Sequence, residues 1–263
     1  MPVISSNVNP QFKSLRLLTS SSRERRRASS MVLDGPHLLT CYLARHGTPA
    51  LVAVSEDALD RPEIAELLGR CATARVLLFS ATLFSQLATV EHPVGILAVA
   101  PIPQFTATAK LGRANVLLEG VQDPGNVGAI IRTAAAAGVE QVLLSAGCAD
   151  PWSPRTLRAG MGGHFALSVR SGVDLAASLN GFDGAVVVTV ARGGRTPQEF
   201  DLTGSTAFIF GGEGAGLSEA LQACAGSRVT IPMAAGVESL NVGAAAAVLL
   251  YERVRQLSGS MHG

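Results

Sequence analysis

The chain has 263 residues, 48% hydrophobic and 16% charged, which is ample apolar material for compact cores and more length than a single domain usually takes. Its formal net charge of +1 says nothing by itself about a polyanionic partner. The longest apolar run, Val242 to Tyr251, is about half of the ~20 residues that a membrane-spanning helix requires, so no membrane partner is expected.

The charge is unevenly spread. Residues 1–30 carry Lys13, Arg16, Arg23, Arg25, Arg26 and Arg27 against the single acid Glu24, a block of +5 that leaves −4 for the rest. Such a block is either a solvated tail or an electrostatic arm for a polyanion, and composition does not choose between them. No apolar segment of the secretory type follows it, so no export is expected. Cys41, Cys71, Cys148 and Cys224 have neither C-x-x-C spacing nor a histidine cluster beside them. Reduced cysteines in a cytoplasm are expected, with no disulfide framework and no metal site.

Strand-like runs follow at 31–35, 50–55, 75–80 and 94–100, separated by helical stretches at 36–45, 62–70 and 80–89. This predicts a small α/β domain over 31–105, preceded by the basic arm of 1–30. The stretch 100–115, with polar residues, proline and glycine, reads as the domain boundary. From 110 to 263, short continuously apolar runs at 115–120, 141–145, 165–169, 184–190, 207–210 and 227–232 suit a parallel sheet buried on both faces. Helices are expected at 127–137, 154–160, 173–179, 218–224 and about 241–256. The second domain is therefore a doubly wound α/β fold, whose ligands bind at the carboxyl ends of the strands.

Three loops at those ends stand out. The first, Gly120 to Arg132, turns through Asp123, Pro124 and Gly125 into a helix for which Asn126 is a plausible N-cap. Val127, Ile130, Ile131 and Ala134 share its core face. Arg132 lies off that face, with only Gly128, Ala129, Ala135 and Ala136 as helical neighbours. It is either an ordinary solvated arginine or a cation held for a phosphate or a developing alkoxide.

The second loop, "GGEGAG" at 211–216, follows a strand as a dinucleotide-binding turn would, but Glu213 stands where the middle glycine of G-x-G-x-x-G belongs. A carboxylate there would repel a pyrophosphate, which argues against a nucleotide-dependent oxidoreductase. The third loop runs from Ile231 through Ser239, Leu240 and Asn241 into the last helix, and alone could be a plain Ser/Asn cap.

Together, D-P-x-N-x-G-A-I-x-R-T-A at 123–134, G-x-E-x-x-G-L at 211–217, and I-P-M followed by E-S-L-N-V at 231–242 closely resemble the three motifs of the SpoU-type RNA ribose 2′-O-methyltransferases of the SPOUT superfamily. The likeness spans the second domain. The segments 4–18 and 92–101 also look like the family's N-terminal substrate-binding extension, which resembles a small RNA-binding ribosomal-protein fold. Gly160 and Gly243 stand where related sequences often have serine.

The resemblance implies a trefoil-knotted sheet, S-adenosylmethionine as cofactor, an RNA substrate and a homodimer with its catalytic site near the subunit interface. By motif position it implies a catalytic set of Asn126, Arg132, Glu213, Ser239 and Asn241. It implies a cofactor pocket around Gly211, Gly212, Ile231 and Leu240, with Met233 and Thr189 nearby. S-adenosylmethionine has a cationic sulfonium and no phosphate, so Glu213 in the glycine-rich turn is compatible with it. Ribosomal RNA, with the 23S molecule favoured, is the expected substrate; transfer RNA and a non-catalytic RNA-binding relative are the alternatives.

Overall fold

The computed structural model describes residues 1–104, 110–212 and 216–259, and these form two units. The first begins with strand β1 (Val3–Ile4), helices α1 (Pro10–Ser20) and α2 (Ser22–Ala28), strand β2 (Ser30–Asp34) and helix α3 (Pro36–His46). Strand β3 (Leu51–Ser55), helix α4 (Pro62–Arg70), strand β4 (Arg75–Phe79), helix α5 (Ala81–Ser85) and strand β5 (Ile96–Pro101) follow. Their sheet has the order β1-β4-β3-β5-β2, with β5 antiparallel to both of its neighbours.

The basic segment is a built-in part of this unit and not a preceding arm. Strand β1 pairs with β4, and Phe12, Leu15 and Leu18 of α1 enter the core with Val32, Phe79 and Leu97. The i, i+3, i+6 spacing of those three residues gives α1 one apolar stripe, and Asn9 caps it by accepting from the Gln11 N–H at 2.8 Å. Arg25, only 4% exposed, donates to the Leu18 carbonyl at 2.8 Å and so satisfies the end of α1. Its charge is committed to structure. Lys13, Arg16, Arg23, Arg26 and Arg27 are exposed.

The second unit contains strand β6 (Ala114–Glu119), helix α6 (Pro124–Ala136) and strand β7 (Gln141–Leu144). The chain then makes helix α7 (Pro154–Gly160), which belongs with its flanks, Trp152–Phe165, to the first unit. Asp34 shows why: its carboxylate accepts from the Thr89 N–H at 2.9 Å and hydroxyl at 2.6 Å, and pairs with Arg158 of α7 at 3.4 Å. Phe165 also meets Tyr42 edge-on, with ring centroids 5.6 Å apart. A boundary placed at 100–115 alone therefore misses a segment that the first unit takes back from later in the chain.

The second unit resumes with strand β8 (Ser168–Ser171), helix α8 (Leu175–Ser178), strand β9 (Ala185–Thr189), strand β10 (Thr206–Gly211), helix α9 (Glu219–Ala223), strand β11 (Ser227–Val229) and helix α10 (Val242–Gly259). The six strands lie in the order β11-β9-β10-β6-β7-β8, and every neighbouring pair is parallel. Phe208, Ile209 and Phe210 of β10 and Val116, Leu117 and Leu118 of β6 are fully buried. Consecutive residues face opposite sides of a sheet, so both faces are covered, as the unbroken apolar runs require. The run at 165–169 is displaced: Gly163–Phe165 is a 3-10 turn, and the strand starts at Ser168. No helix among the described residues is long and apolar enough to cross a membrane.

Candidate active site

Helix α6 starts three residues earlier than the N-cap assignment to Asn126 implies. Asp123 is the cap, accepting from the Asn126 N–H at 2.8 Å, with Pro124 at the first helical position, where its missing N–H costs nothing. Asn126 is thereby freed for a different role, because its side chain lies inside the first turn. Its Oδ1 accepts from Asn241 Nδ2 at 2.9 Å. Asn241 in turn caps α10, its Oδ1 accepting from the Gly243 N–H at 2.9 Å and the Ala244 N–H at 3.4 Å. The first and third motifs thus meet through one amide pair. A side chain on residue 243 would bring its Cβ to 3.1 Å from Asn241 Oδ1, so glycine there leaves the cap room.

Val127, Ile130, Ile131 and Ala134 are buried on the core side of α6. Arg132 is exposed, and the described residues offer it no hydrogen-bond or ion-pair partner. Glu213 lies outside the described residues.

A cavity of about 520 Å³ opens at the carboxyl ends of β9, β10 and β11. Thr189, Gly211, Gly212, Ile231, Met233 and Leu240, the six candidate cofactor residues, all line it, and so does Ser239. Asn126, Arg132 and Asn241 do not. Thr189 is fixed by donating its hydroxyl to the Ile209 carbonyl at 3.2 Å. At Gly212 a Cβ would sit 2.2 Å from the Gly120 oxygen, and at Gly211 one would sit 2.6 Å from the Gly216 carbonyl carbon. Only glycine lets these backbones approach so closely.

The lining is apolar side chains, backbone, the Thr189 and Ser239 hydroxyls and one ionisable group among the described residues, Glu238. Its described residues include no arginine or lysine. A wall of this kind cannot neutralise a pyrophosphate, whereas a carboxylate and exposed carbonyls suit a ligand that carries a cation. The residues present therefore fit S-adenosylmethionine. Glu238 has no role in the sequence reading, although it stands in the third motif; its place directly before Ser239 was the available signal.

The comparisons with known proteins agree with this chemistry. Residues 113–251 match the model of the SpoU rRNA Methylase family. An uncharacterized tRNA/rRNA methyltransferase of Synechocystis is 36% identical over 262 residues, covering 96% of this chain and 93% of the relative. The 23S rRNA (guanosine(2553)-2′-O)-methyltransferase of Bacillus subtilis is 34% identical over 254 residues, 95% of this chain and 98% of its own. Among solved structures, an AdoMet-bound rRNA methyltransferase from Sinorhizobium meliloti superposes with a TM-score of 0.85 at 26% identity, covering 97% of this chain and 98% of that one. AdoMet is S-adenosylmethionine. By sequence and by fold, the chain belongs to the SpoU rRNA methylase family.

Proposed function

We propose that this protein transfers a methyl group from S-adenosylmethionine to a ribose 2′-hydroxyl of ribosomal RNA, with the 23S molecule as the favoured substrate. The observation that carries this reading is the cavity at the carboxyl ends of β9 to β11. It is glycine-walled, lacks any basic side chain among its described lining, and joins the second and third motif loops.

The cofactor supplies an electrophilic methyl on a positive sulfur. The chain's own residues bind and orient. Backbone around Gly211, Gly212, Ile231 and Leu240, with Thr189 and Met233, holds the cofactor. The ribose hydroxyl is a very weak acid, so the site must lower the cost of losing its proton as it attacks. A guanidinium is a poor general base, so the task of Arg132 is to stabilise the developing alkoxide or clamp the neighbouring phosphate. The Asn126–Asn241 pair and Ser239, together with Glu213, orient the reacting groups.

The working form is a homodimer. Arg132 does not line the cavity of its own chain. Val248 and Tyr251 of α10 are 39% and 51% exposed, and with exposed Ala244 they form one stripe at helical spacing. A second copy covering that stripe fits the family architecture, in which the catalytic site lies near the subunit interface. The family architecture also supports a trefoil knot in the second unit and a ribosomal-protein-like, RNA-binding first unit whose exposed Lys13, Arg16, Arg23, Arg26 and Arg27 meet phosphate. No metal takes part, and the protein works in the cytoplasm.

The test is mass spectrometric mapping of ribose methylation in ribosomal and transfer RNA from cells with and without the protein. One 2′-O-methyl site in 23S rRNA should disappear with it. A lost site in transfer RNA alone would move the substrate, and an unchanged map would mark a non-catalytic relative.

A further inference from the structure

We propose that Glu119, the last residue of β6, is the positioning residue that shapes the glycine-rich wall of the cavity. The proposal rests on the reading of that cavity as the S-adenosylmethionine site. Glu119 pairs with Gly211 in the parallel ladder. Its carbonyl accepts from the Gly212 N–H at 2.8 Å, and its carboxylate Oε2 accepts from the Ser218 N–H at 2.7 Å. One residue therefore pins both ends of the 212–218 segment.

Between the two anchors the Gly216 N–H donates to the Gly212 carbonyl at 3.1 Å, so these two described glycines are joined to each other. Gly211, Gly212, Gly216 and Leu217 all line the cavity, so the width of the wall depends on where the anchors hold it. The backbone anchor at Gly212 belongs to the sheet and would survive any side-chain change. The anchor at Ser218 is supplied by the carboxylate alone, as a charge-assisted bond at the short end of the usual range.

Glu119 also precedes Gly120, whose φ of +65° starts the first motif loop and whose oxygen lies against Gly212. The residue is thus the mechanical link between the loop that leads to Asn126 and the turn of the second motif. Without the carboxylate, the Ser218 end of the turn loses the hydrogen bond that ties it to β6, and the wall loses a fixed width while the strand beneath it remains.

The test is cofactor affinity by calorimetry on the full chain, alongside thermal melts, for Glu119→Ala, Glu119→Gln, Ser218→Pro and the double variant Glu119→Ala/Ser218→Pro. Ser218 has φ −61°, which proline can adopt, and proline removes the N–H that Glu119 accepts. Glu119→Ala should weaken S-adenosylmethionine binding about tenfold or more, the effect of losing one charge-assisted bond. Glu119→Gln, whose amide oxygen still accepts from Ser218, should recover most of it. Ser218→Pro should match Glu119→Ala, and the double variant should be no worse than either. Ser218→Ala, which keeps the N–H and loses only the cap of α9, serves as the control and should bind nearly as wild type.

Wild-type affinity in Glu119→Ala, or additive losses in the double variant, would overturn the proposal while leaving the cofactor assignment standing. Wild-type protein that binds no S-adenosylmethionine would overturn both. Should Glu119→Ala fail to fold, Ser218→Pro against Ser218→Ala decides: equal affinities would overturn the proposal, and a loss confined to proline would support it.

Discussion

The two ends of the second sheet carry cavities of nearly equal size and opposite chemistry. The one at the carboxyl ends, about 520 Å³, is walled by glycine backbone and apolar side chains. The one at the amino ends, about 550 Å³, is lined by Lys110, Arg113, Glu140 and Asp183 among others. At the amino end carboxylates are tied into the fold, Glu140 by a backbone N–H and Glu252 by an arginine. Glu140 accepts from the Arg113 N–H at 3.1 Å, and Glu252 of α10 holds Arg255 through two hydrogen bonds of 2.8 and 2.7 Å. Gln256 bonds Glu252 at 2.9 Å and reaches both the Phe200 carbonyl and the Leu202 N–H. Arg132 of α6, by contrast, is exposed and finds no partner among the described residues. Volume does not distinguish a reaction site from a structural joint here; what the charges are bonded to does.

This contrast predicts that substitutions at the carboxyl end abolish function with the fold kept, and that those at the amino end do the reverse. The largest effect is expected from Gly212→Val. Its side chain would start 2.2 Å from the Gly120 oxygen, so calorimetry should detect no binding of S-adenosylmethionine. Retained affinity would mean that the close approach of these strands is dispensable.

Arg132→Ala comes next: turnover should fall by ~10² or more, with cofactor affinity and melting temperature unchanged. Arg132→Lys keeps the charge but not the planar fork and should rescue little. A lysine variant whose rate climbs steeply as pH rises through the lysine pKa would show that proton abstraction is the task.

A smaller effect belongs to the first unit. Deleting residues 1–30 would remove Phe12, Leu15 and Leu18 from the core, each worth about 1.5–3 kcal/mol, so deletion tests folding and not binding. Changing Arg16, Arg23, Arg26 and Arg27 to Gln instead should flatten the salt dependence of RNA binding, each lost phosphate contact lowering the log–log slope by ~0.7–0.9. Cofactor affinity should not move. An unaltered slope would assign these arginines to solvent alone.

The smallest effect is a pH dependence at the amino end. Hydrogen bonds from Arg255 hold the Glu252 carboxyl below its ordinary value of 4.5. A depressed folded-state pKa gives stability that is complete above the unfolded value and is lost as pH falls through the folded one. Glu252→Gln should therefore flatten the acid limb of the melting-temperature profile below about pH 4.5 and leave activity at neutral pH intact. A profile unchanged by the substitution would remove Glu252 from the joint.

Much of the second unit was legible because strands buried on both faces must be apolar throughout, and no other element of five or six residues demands that. The basic segment was misread for a physical reason as well. Apart from Arg25, the basic residues of helices α1 and α2 point outward and few residues are buried, so composition resembles a tail even though Phe12, Leu15 and Leu18 are in the core. The cap at Asp123 was readable from the D-P pair, since proline favours the first helical position and aspartate the cap. The return of Trp152–Phe165 to the first unit was not readable: it depends on Asp34, Thr89 and Tyr42, more than sixty residues away in the chain. In the site, motif position named six of the residues that line the cavity but carried no geometry, so the absence of Arg132 from that lining in its own chain stayed hidden.

A methyl group delivered at the carboxyl end of the second sheet should end on ribose oxygen. The direct measurement incubates purified protein with methyl-labelled S-adenosylmethionine and unmodified 23S rRNA, with no metal beyond what folds the RNA, then digests the RNA to nucleosides. Label is expected in a single 2′-O-methyl nucleoside, reduced about a hundredfold by Arg132→Ala. Label on a base, or equal labelling by the Arg132→Ala variant, would contradict it.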